Sequence, residues 1–177
     1  MLWQSYHRKL LALAETSETL TVSQQVVCQF LRQEIGDYQQ RINLWGPPGV
    51  GKTFLVHYLH QYADGLYFSS AESCLITEIS PKSAVIIDNA PSDRSLARSI
   101  FGEVLWAGAS SVILVTRQPI DAAVRRIELD LTDRDMGQIE GVMRKLFSHV
   151  PIDKVDNFER HRSGIWEQLK MLAEHVI

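Results

Sequence analysis

The run Gly46-Pro47-Pro48-Gly49-Val50-Gly51-Lys52-Thr53 matches the pattern G-x-x-x-x-G-K-[ST] in full. Glycines at this spacing let the backbone curl until several N–H groups converge on one anion. A helix opening at the same point adds the positive end of its dipole. Lys52 supplies a mobile cation for outer phosphates, and the Thr53 hydroxyl falls where a magnesium ion bridging those phosphates takes a ligand. The expected nucleotide-binding set is Gly46, Pro47, Pro48, Gly49, Val50, Gly51, Lys52, Thr53 and Phe54, and the implied ligand is a nucleoside triphosphate with Mg2+. The competing interpretation, an ordinary tight turn, does not account for the strand before the motif and the helix after it.

Such a site needs a carboxylate at the end of a neighbouring buried strand to orient the magnesium shell. Val85-Ile86-Ile87-Asp88 is an apolar run ending in one, so Asp88 fits the Walker B role beside Thr53 as a metal-site residue; a turn residue capping the next helix is the alternative. The next apolar run ends Val115-Thr116-Arg117-Gln118-Pro119, at the sheet edge where open α/β proteins bind ligands. Thr116 is placed to hold a water near the terminal phosphate or, alternatively, to bond local backbone; Arg117 is equally a solvated surface charge.

The elements that position these groups follow from periodicity. Trp3, Tyr6, Leu10 and Leu13, then Val22, Val26, Phe30 and Leu31, recur at helical spacing. Trp3 and Tyr6 suit either packing under the sheet or a docking face. Ile42–Trp45 reads as a strand running into the glycine-rich turn, and the helix after it extends to about Tyr62. Further strands are expected at Leu66–Ser69, Ala84–Asp88, Val112–Thr116 and Ile127–Leu131, with a helix over Ser92–Trp106. Strands alternating with helices predict a parallel sheet covered on both faces, and the unbroken apolar runs at 84–87 and 112–115 predict its central strands. Beyond Thr132, a helix capped by that residue runs to about Phe147, and Ile165, Leu169, Leu172 and Val176 mark a last helix. Asp133, Arg134 and Asp135 read as a solvated first turn, with acids favoured near the positive helix end. The expected organisation is an α/β core over residues 1–131 and a small helical lid over 132–177.

Composition sets the outer limits. The chain has 177 residues, 45% hydrophobic and 22% charged, with a formal charge of −3, which fits one globular domain and argues against fibrous, disordered or strongly nucleic-acid-attracting classes. Cys28 and Cys74 have no ligand-spaced partner and read as buried thiols. His7, His57, His60, His149, His161 and His175 are scattered; His57 and His60 share a helix face without a third ligand. No long apolar run or cleavage signal occurs, so no membrane role is expected and the expected compartment is the cytoplasm.

With LWGPPGVGKT as Walker A, VIIDN as Walker B, ILVTRQP as a sensor 1 strand and ELDLTDRD as the last strand turning into a lid, the chain resembles the AAA+ ATPases. The likeness is to the branch of DnaA-type initiators, their regulators and loader-like ATPases, and spans roughly Val22 to Ile177. It implies a core of five parallel strands, ATP between core and lid, and a second subunit completing the site. It also implies a glutamate after the Walker B aspartate, where this chain has Asn89, which hydrogen-bonds but accepts no proton, so hydrolysis is expected to be slow or partner-dependent. Gly164-Ile165-Trp166-Glu167 is acidic where a sensor 2 arginine would stand, and none is assigned. The nearest matches to an arginine finger are Arg125 and Arg126, with two exposed charges at a strand start as the alternative. The sequence ends after the last lid helix, so no dedicated DNA reader is expected and any nucleic-acid role is indirect.

The catalytic set under this resemblance is Lys52, Asp88, Asn89, Thr116, Arg125 and Arg126. The expected function is an ATP-dependent assembly switch or weak ATPase working through itself or a protein partner in replication, transposition, defence or a similar process. Two alternatives stand beside it. A small-molecule P-loop kinase would need an acceptor pocket and lid arginines, and a non-hydrolysing adaptor subunit would follow from Asn89 and the absent sensor 2 arginine. A GTPase is disfavoured, since no DxxG or NKxD motif accompanies the P-loop.

Overall fold

The structure, a computed structural model, describes residues 20–35, 37, 39–62 and 65–146. The expected first helix with Trp3 and Tyr6, the terminal lid helix, and His7, His149, His161 and His175 lie outside them. The described elements are α1 (Val22–Ile35), β1 (Gln40–Trp45), α2 (Lys52–Tyr62), β2 (Gly65–Phe68), α3 (Ala71–Leu75), β3 (Ala84–Ile87), α4 (Arg94–Trp106), β4 (Ser111–Thr116), β5 (Arg125–Glu128) and α5 (Asp133–Leu146). The five strands form one sheet in the order β2-β3-β4-β1-β5, every neighbouring pair parallel. This is the α/β arrangement of a P-loop NTPase, with helices flanking a five-stranded parallel sheet.

Alternation along the strands divides the core in two. Ile42, Leu44, Ile86, Ile113 and Val115 pack with Val27 and Leu31 of α1, Leu55 and Leu59 of α2, and Met136 of α5. Val85, Ile87, Val112 and Leu114 face the other way, onto Ala97, Ile100, Phe101 and Val104 of α4 and Cys74 of α3. All of β3 and β4 is buried, as continuous apolar runs require. Cys28 and Cys74 are free, buried thiols, and burial pushes Cys74 up to about 11.

Three expectations are corrected. The last strand is Arg125–Glu128 rather than Ile127–Leu131. It is an edge strand, where charged residues are tolerated, so its two arginines hide it from an apolar-run criterion. Pairing starts early, with Val124 N–H donating to the Arg41 carbonyl at 2.9 Å. It ends when Asp130 turns to cap the Leu131 amide at 2.9 Å. In α1 the buried face is Gln24, Val27, Cys28, Leu31 and Glu34, and Val26 and Phe30 point outward at 62% and 40% exposure. The helix is rotated because Gln24 and Glu34, polar by type, have polar partners inside. Finally, Asp135 is no solvated residue; it is completely buried.

Its burial has a cause. Thr132 and Asp135 form a reciprocal cap at the start of α5, Asp135 Oδ2 accepting from the Thr132 amide at 2.7 Å and its hydroxyl at 2.6 Å. The same carboxylate accepts from the Ser23 amide at 2.9 Å and the Ser23 hydroxyl at 2.6 Å, at the N-terminus of α1. Burial alone would raise its pKa, but these four donors outweigh it and hold Asp135 well below the usual carboxylate range. α1 opens on a second such box, the Thr21 amide donating to Gln24 Oε1 at 3.0 Å and the Gln24 amide to Thr21 Oγ1 at 3.3 Å. The Val22 amide is taken by Gln138 Oε1 at 3.0 Å.

Candidate functional site

β1 leads at its carboxyl end into the loop 46–51, and α2 starts at Lys52. Gly46 is dictated by space and Gly51 by conformation. A Cβ on Gly46 would meet the Leu129 backbone carbonyl, and one on Gly51, whose φ is +84°, would meet the Gln24 amide. Gln24 Nε2 donates to the Gly51 carbonyl at 3.3 Å, which ties the start of α1 to the loop. The first amides of α2 have no intrahelical acceptor and are the donors an anion would use.

Lys52 arches back over this loop, its Nζ donating to the carbonyls of Gly46 at 2.6 Å and Pro47 at 2.8 Å. Partial burial lowers its pKa, the Asp88 carboxylate working against that and the Arg117 guanidinium adding to it. Thr53 Oγ1 donates to Asp88 Oδ2 at 2.7 Å, so the P-loop hydroxyl and the strand-end carboxylate meet. Asp88 is 2% exposed and accepts two more bonds, from the Asn89 amide to Oδ1 at 2.9 Å and from the Tyr67 hydroxyl to Oδ2 at 3.2 Å. The Tyr67 ring lies against His57 with centroids 4.2 Å apart. Hydroxyl and carboxylate oxygens held together beside a lysine are the hard donor set that Mg2+ takes, so the residues fit the ion.

The other expected residues fall around this pair. Asn89 is exposed, sits at φ +50°, and donates from Nδ2 to the Ser69 carbonyl at 3.3 Å. Thr116 is buried, its hydroxyl donating to the Gln118 carbonyl at 2.6 Å and accepting from Asn43 Nδ2 at 2.8 Å. Arg125 and Arg126 lie within β5, Arg125 paired with Glu34 at 3.1 Å and Arg126 with Asp121 at 2.8 Å. Phe54 packs against the core cluster on the α2 side. Among the described residues no three His, Cys, Asp or Glu side chains gather as a metal site, and no helix is long and apolar enough to cross a membrane.

Sequence reasoning missed Gln24, Asn43 and Tyr67. Thr21-x-x-Gln24 is itself a capping signature that points to Gln24. Asn43 announces itself as the one amide within the apolar run Ile42–Trp45; its Oδ1 accepts from the Ile120 amide at 2.8 Å and its Nδ2 donates to the Leu114 carbonyl at 3.1 Å. Tyr67 has no sequence signal, because only the pairing of β2 with β3 brings it to Asp88.

No protein-family model matches the chain, and no curated protein matches it. Solved structures do. A replication initiator DnaA bound to AMPPCP and single-stranded DNA aligns at TM-score 0.55 and 14% identity, covering 86% of this chain and 60% of that one. A DNA replication initiation factor aligns at TM-score 0.54 and 16% identity, covering 84% and 59%. NtrX from Brucella abortus in complex with ATP aligns at 0.52 and 14%, covering 82% and 47%. These structures are AAA+ proteins, and the fold of this chain is theirs. The chain spans between 47% and 60% of their length.

Proposed function

We propose that the protein binds ATP with Mg2+ at the P-loop and acts as an ATP-dependent assembly switch or slow ATPase, serving a nucleic-acid process through protein partners in the cytoplasm. The observation that carries this is the 2.7 Å contact between Thr53 and Asp88 beside Lys52, within an AAA+ fold. AMPPCP and ATP in the neighbouring structures support the choice of nucleotide. In the same proposal residues 132–177 form the lid, of which α5 is the described part.

Thr53 and Asp88 would hold Mg2+, which when bound neutralises charge on the outer phosphates. Lys52 exchanges its two carbonyl partners for a phosphate oxygen, and the first amides of α2 stabilise negative charge as water attacks the terminal phosphorus in line, the bond to the bridging oxygen breaks, ADP leaves and the proton of the water passes to the released phosphate. Asn89 orients by hydrogen bonding but takes no proton from that water, so turnover is slow. Thr116 acts from beneath by fixing the turn after β4 through Gln118. Arg125 or Arg126 of a neighbouring copy adds the remaining cation.

Equilibrium binding of a fluorescent ATP analogue with Mg2+ tests this. Lys52→Ala should weaken binding at least about tenfold, the worth of a charge-assisted hydrogen bond. Equal binding by the two proteins would overturn the assignment. Phosphate release should rise in Asn89→Glu; unchanged release with intact binding favours the non-hydrolysing adaptor.

A further inference from the structure

The inner side of α4, Ala97, Ile100, Phe101 and Val104, packs onto β3 and β4. On its outer side Arg98, Gly102 and Trp106 follow one another at intervals of four and form one ridge, and all three are exposed. Trp106 is 91% exposed, more than any other large hydrophobic side chain among the described residues. Gly102 is the opposite case. Glycine inside a helix destabilises it relative to alanine, yet a Cβ here would meet nothing within 4 Å, so no contact among the described residues requires the glycine. The ridge therefore carries a notch and, one turn further on, an unpacked indole.

The charges of α4 decide which way a second helix would run against it. Arg94 and Arg98 stand in its first half and Glu103 in its second, all exposed, and neither arginine makes an ion pair among the described residues. This order opposes the helix's own dipole, which favours acids at the start and bases at the end; the first turn holds no acid and the last turn no base. Toward an antiparallel neighbour of the same sequence the order is favourable, because the basic half of each helix then lies over the acidic half of the other. Glu103 is held beside the ridge by the Ser99 hydroxyl, which donates to it at 2.6 Å. With a two-fold axis at Gly102, the paired notches let the backbones approach closely, and Trp106 and Arg98 stand equally far from the axis on opposite sides. Each indole then meets the guanidinium of the other copy, and tryptophan offers the best ring face for a cation.

We propose that the outer face of α4 is a self-docking surface, on which a second copy of this chain packs its own α4 antiparallel about a two-fold axis at Gly102, Trp106 of each copy lying against Arg98 of the other. The contact is isologous, so it closes at two chains. Two indoles bury roughly 300–500 Å2, which leaves so small a contact below the ~1,200 Å2 of stable interfaces. The dimer is therefore transient, forming in concentrated solution and dissociating on dilution over a column. It is indifferent to nucleotide, since α4 and the P-loop helix α2 cover opposite faces of the sheet.

Sedimentation equilibrium of the full chain tests this, over roughly 10 µM to 1 mM, the affinity range of weak contacts. The weight-average mass of wild type should climb from one chain toward two, equally without nucleotide, with Mg-ADP and with Mg-AMPPCP. Trp106→Ala should weaken association at least about thirtyfold, the scale of a tryptophan hot spot. Gly102→Leu should abolish it by filling the notch, with a thermal midpoint at or above wild type because leucine is the better helix former and the position is open. Register is read by oxidation: Gly102→Cys should form an intermolecular disulfide, whereas Ser95→Cys, with copies roughly 21 Å apart in this arrangement, should not. The native thiols Cys28 and Cys74 are buried. A wild type that stays monomeric to the highest concentration overturns the inference, as does association unaffected by Trp106→Ala or Gly102→Leu. Equal cross-linking at 95 and 102 overturns the antiparallel register, and growth confined to Mg-AMPPCP assigns the assembly to a different surface.

Discussion

Asp88 shows how much of a site one atom can hold. Its Oδ2 accepts from Thr53 on α2 and from Tyr67 on β2, so a single carboxylate oxygen joins three elements. Burial raises the pKa of the Tyr67 phenol, and the Asp88 charge and hydrogen bond raise it further, so the phenol remains a donor throughout the neutral range. Tyr67→Phe removes that donor while keeping the ring against His57. In the proposed Mg2+ site, a group that orients the Asp88 carboxylate is worth roughly tenfold or more in metal affinity. The Mg2+ concentration for half-maximal ATP-analogue binding should therefore rise by about tenfold in Tyr67→Phe, while binding of the metal-free nucleotide stays unchanged. An unaltered Mg2+ titration would reduce Tyr67 to packing. That Thr53 and Asp88 meet at the P-loop was legible in the sequence, because motif spacing and strand ends encode their placement. Tyr67 was not, since its partner lies 21 residues away on a different strand.

Asp135 governs how two helices start. Its carboxylate closes the first turn of α5 and the first turn of α1 together, next to the residue, Gln24, that touches the P-loop. Because its folded pKa is depressed, it contributes stability that is fully present above the unfolded value of about 3.9 and is lost as pH falls from there through the folded value. Asp135→Asn turns an amide N–H toward groups that are themselves donors, and should cost about 2–3 kcal/mol at neutral pH. Urea titrations followed by circular dichroism at pH 7 and pH 3 should show that deficit shrinking in acid as the wild type loses its advantage. Parallel deficits at both pH values would mean that the charge of Asp135 contributes nothing. A pattern of charges at a helix start signals a solvated turn in most proteins, which is why Asp-Arg-Asp was expected outside. The contact that buries it comes from Ser23, 112 residues earlier. The rotation of α1 was hidden for the same reason, because Gln24 and Glu34 count as polar until their partners on the loop and on Arg125 are known.

On the scale of the molecule, strand order decides what the sheet offers a neighbour. The central strands β3 and β4 were legible as apolar runs, and the fold they belong to is shared with a structural neighbour at 14% identity. The order β2-β3-β4-β1-β5 puts β5, with both arginines, at one edge. The two are not equivalent there. Arg125 pairs with Glu34, which is 9% exposed, so removing the arginine strands a mostly buried carboxylate. Arg126 pairs with Asp121, and both side chains are more than half exposed at 53% and 68%. Such a surface pair is worth about 0–1 kcal/mol and is readily exchanged for a phosphate. If a second copy completes the site, Arg126 is the residue free to reach it, and Arg125 is the one that holds α1 to the sheet. Light scattering after size exclusion should then show mass above a monomer with Mg-ATP and not with Mg-ADP. Arg126→Ala should abolish that growth with an unchanged thermal midpoint, whereas Arg125→Ala should lower the midpoint and leave assembly intact below it. A protein that stays monomeric with every nucleotide would confine Arg126 to its pair with Asp121 and leave assembly to a different partner chain.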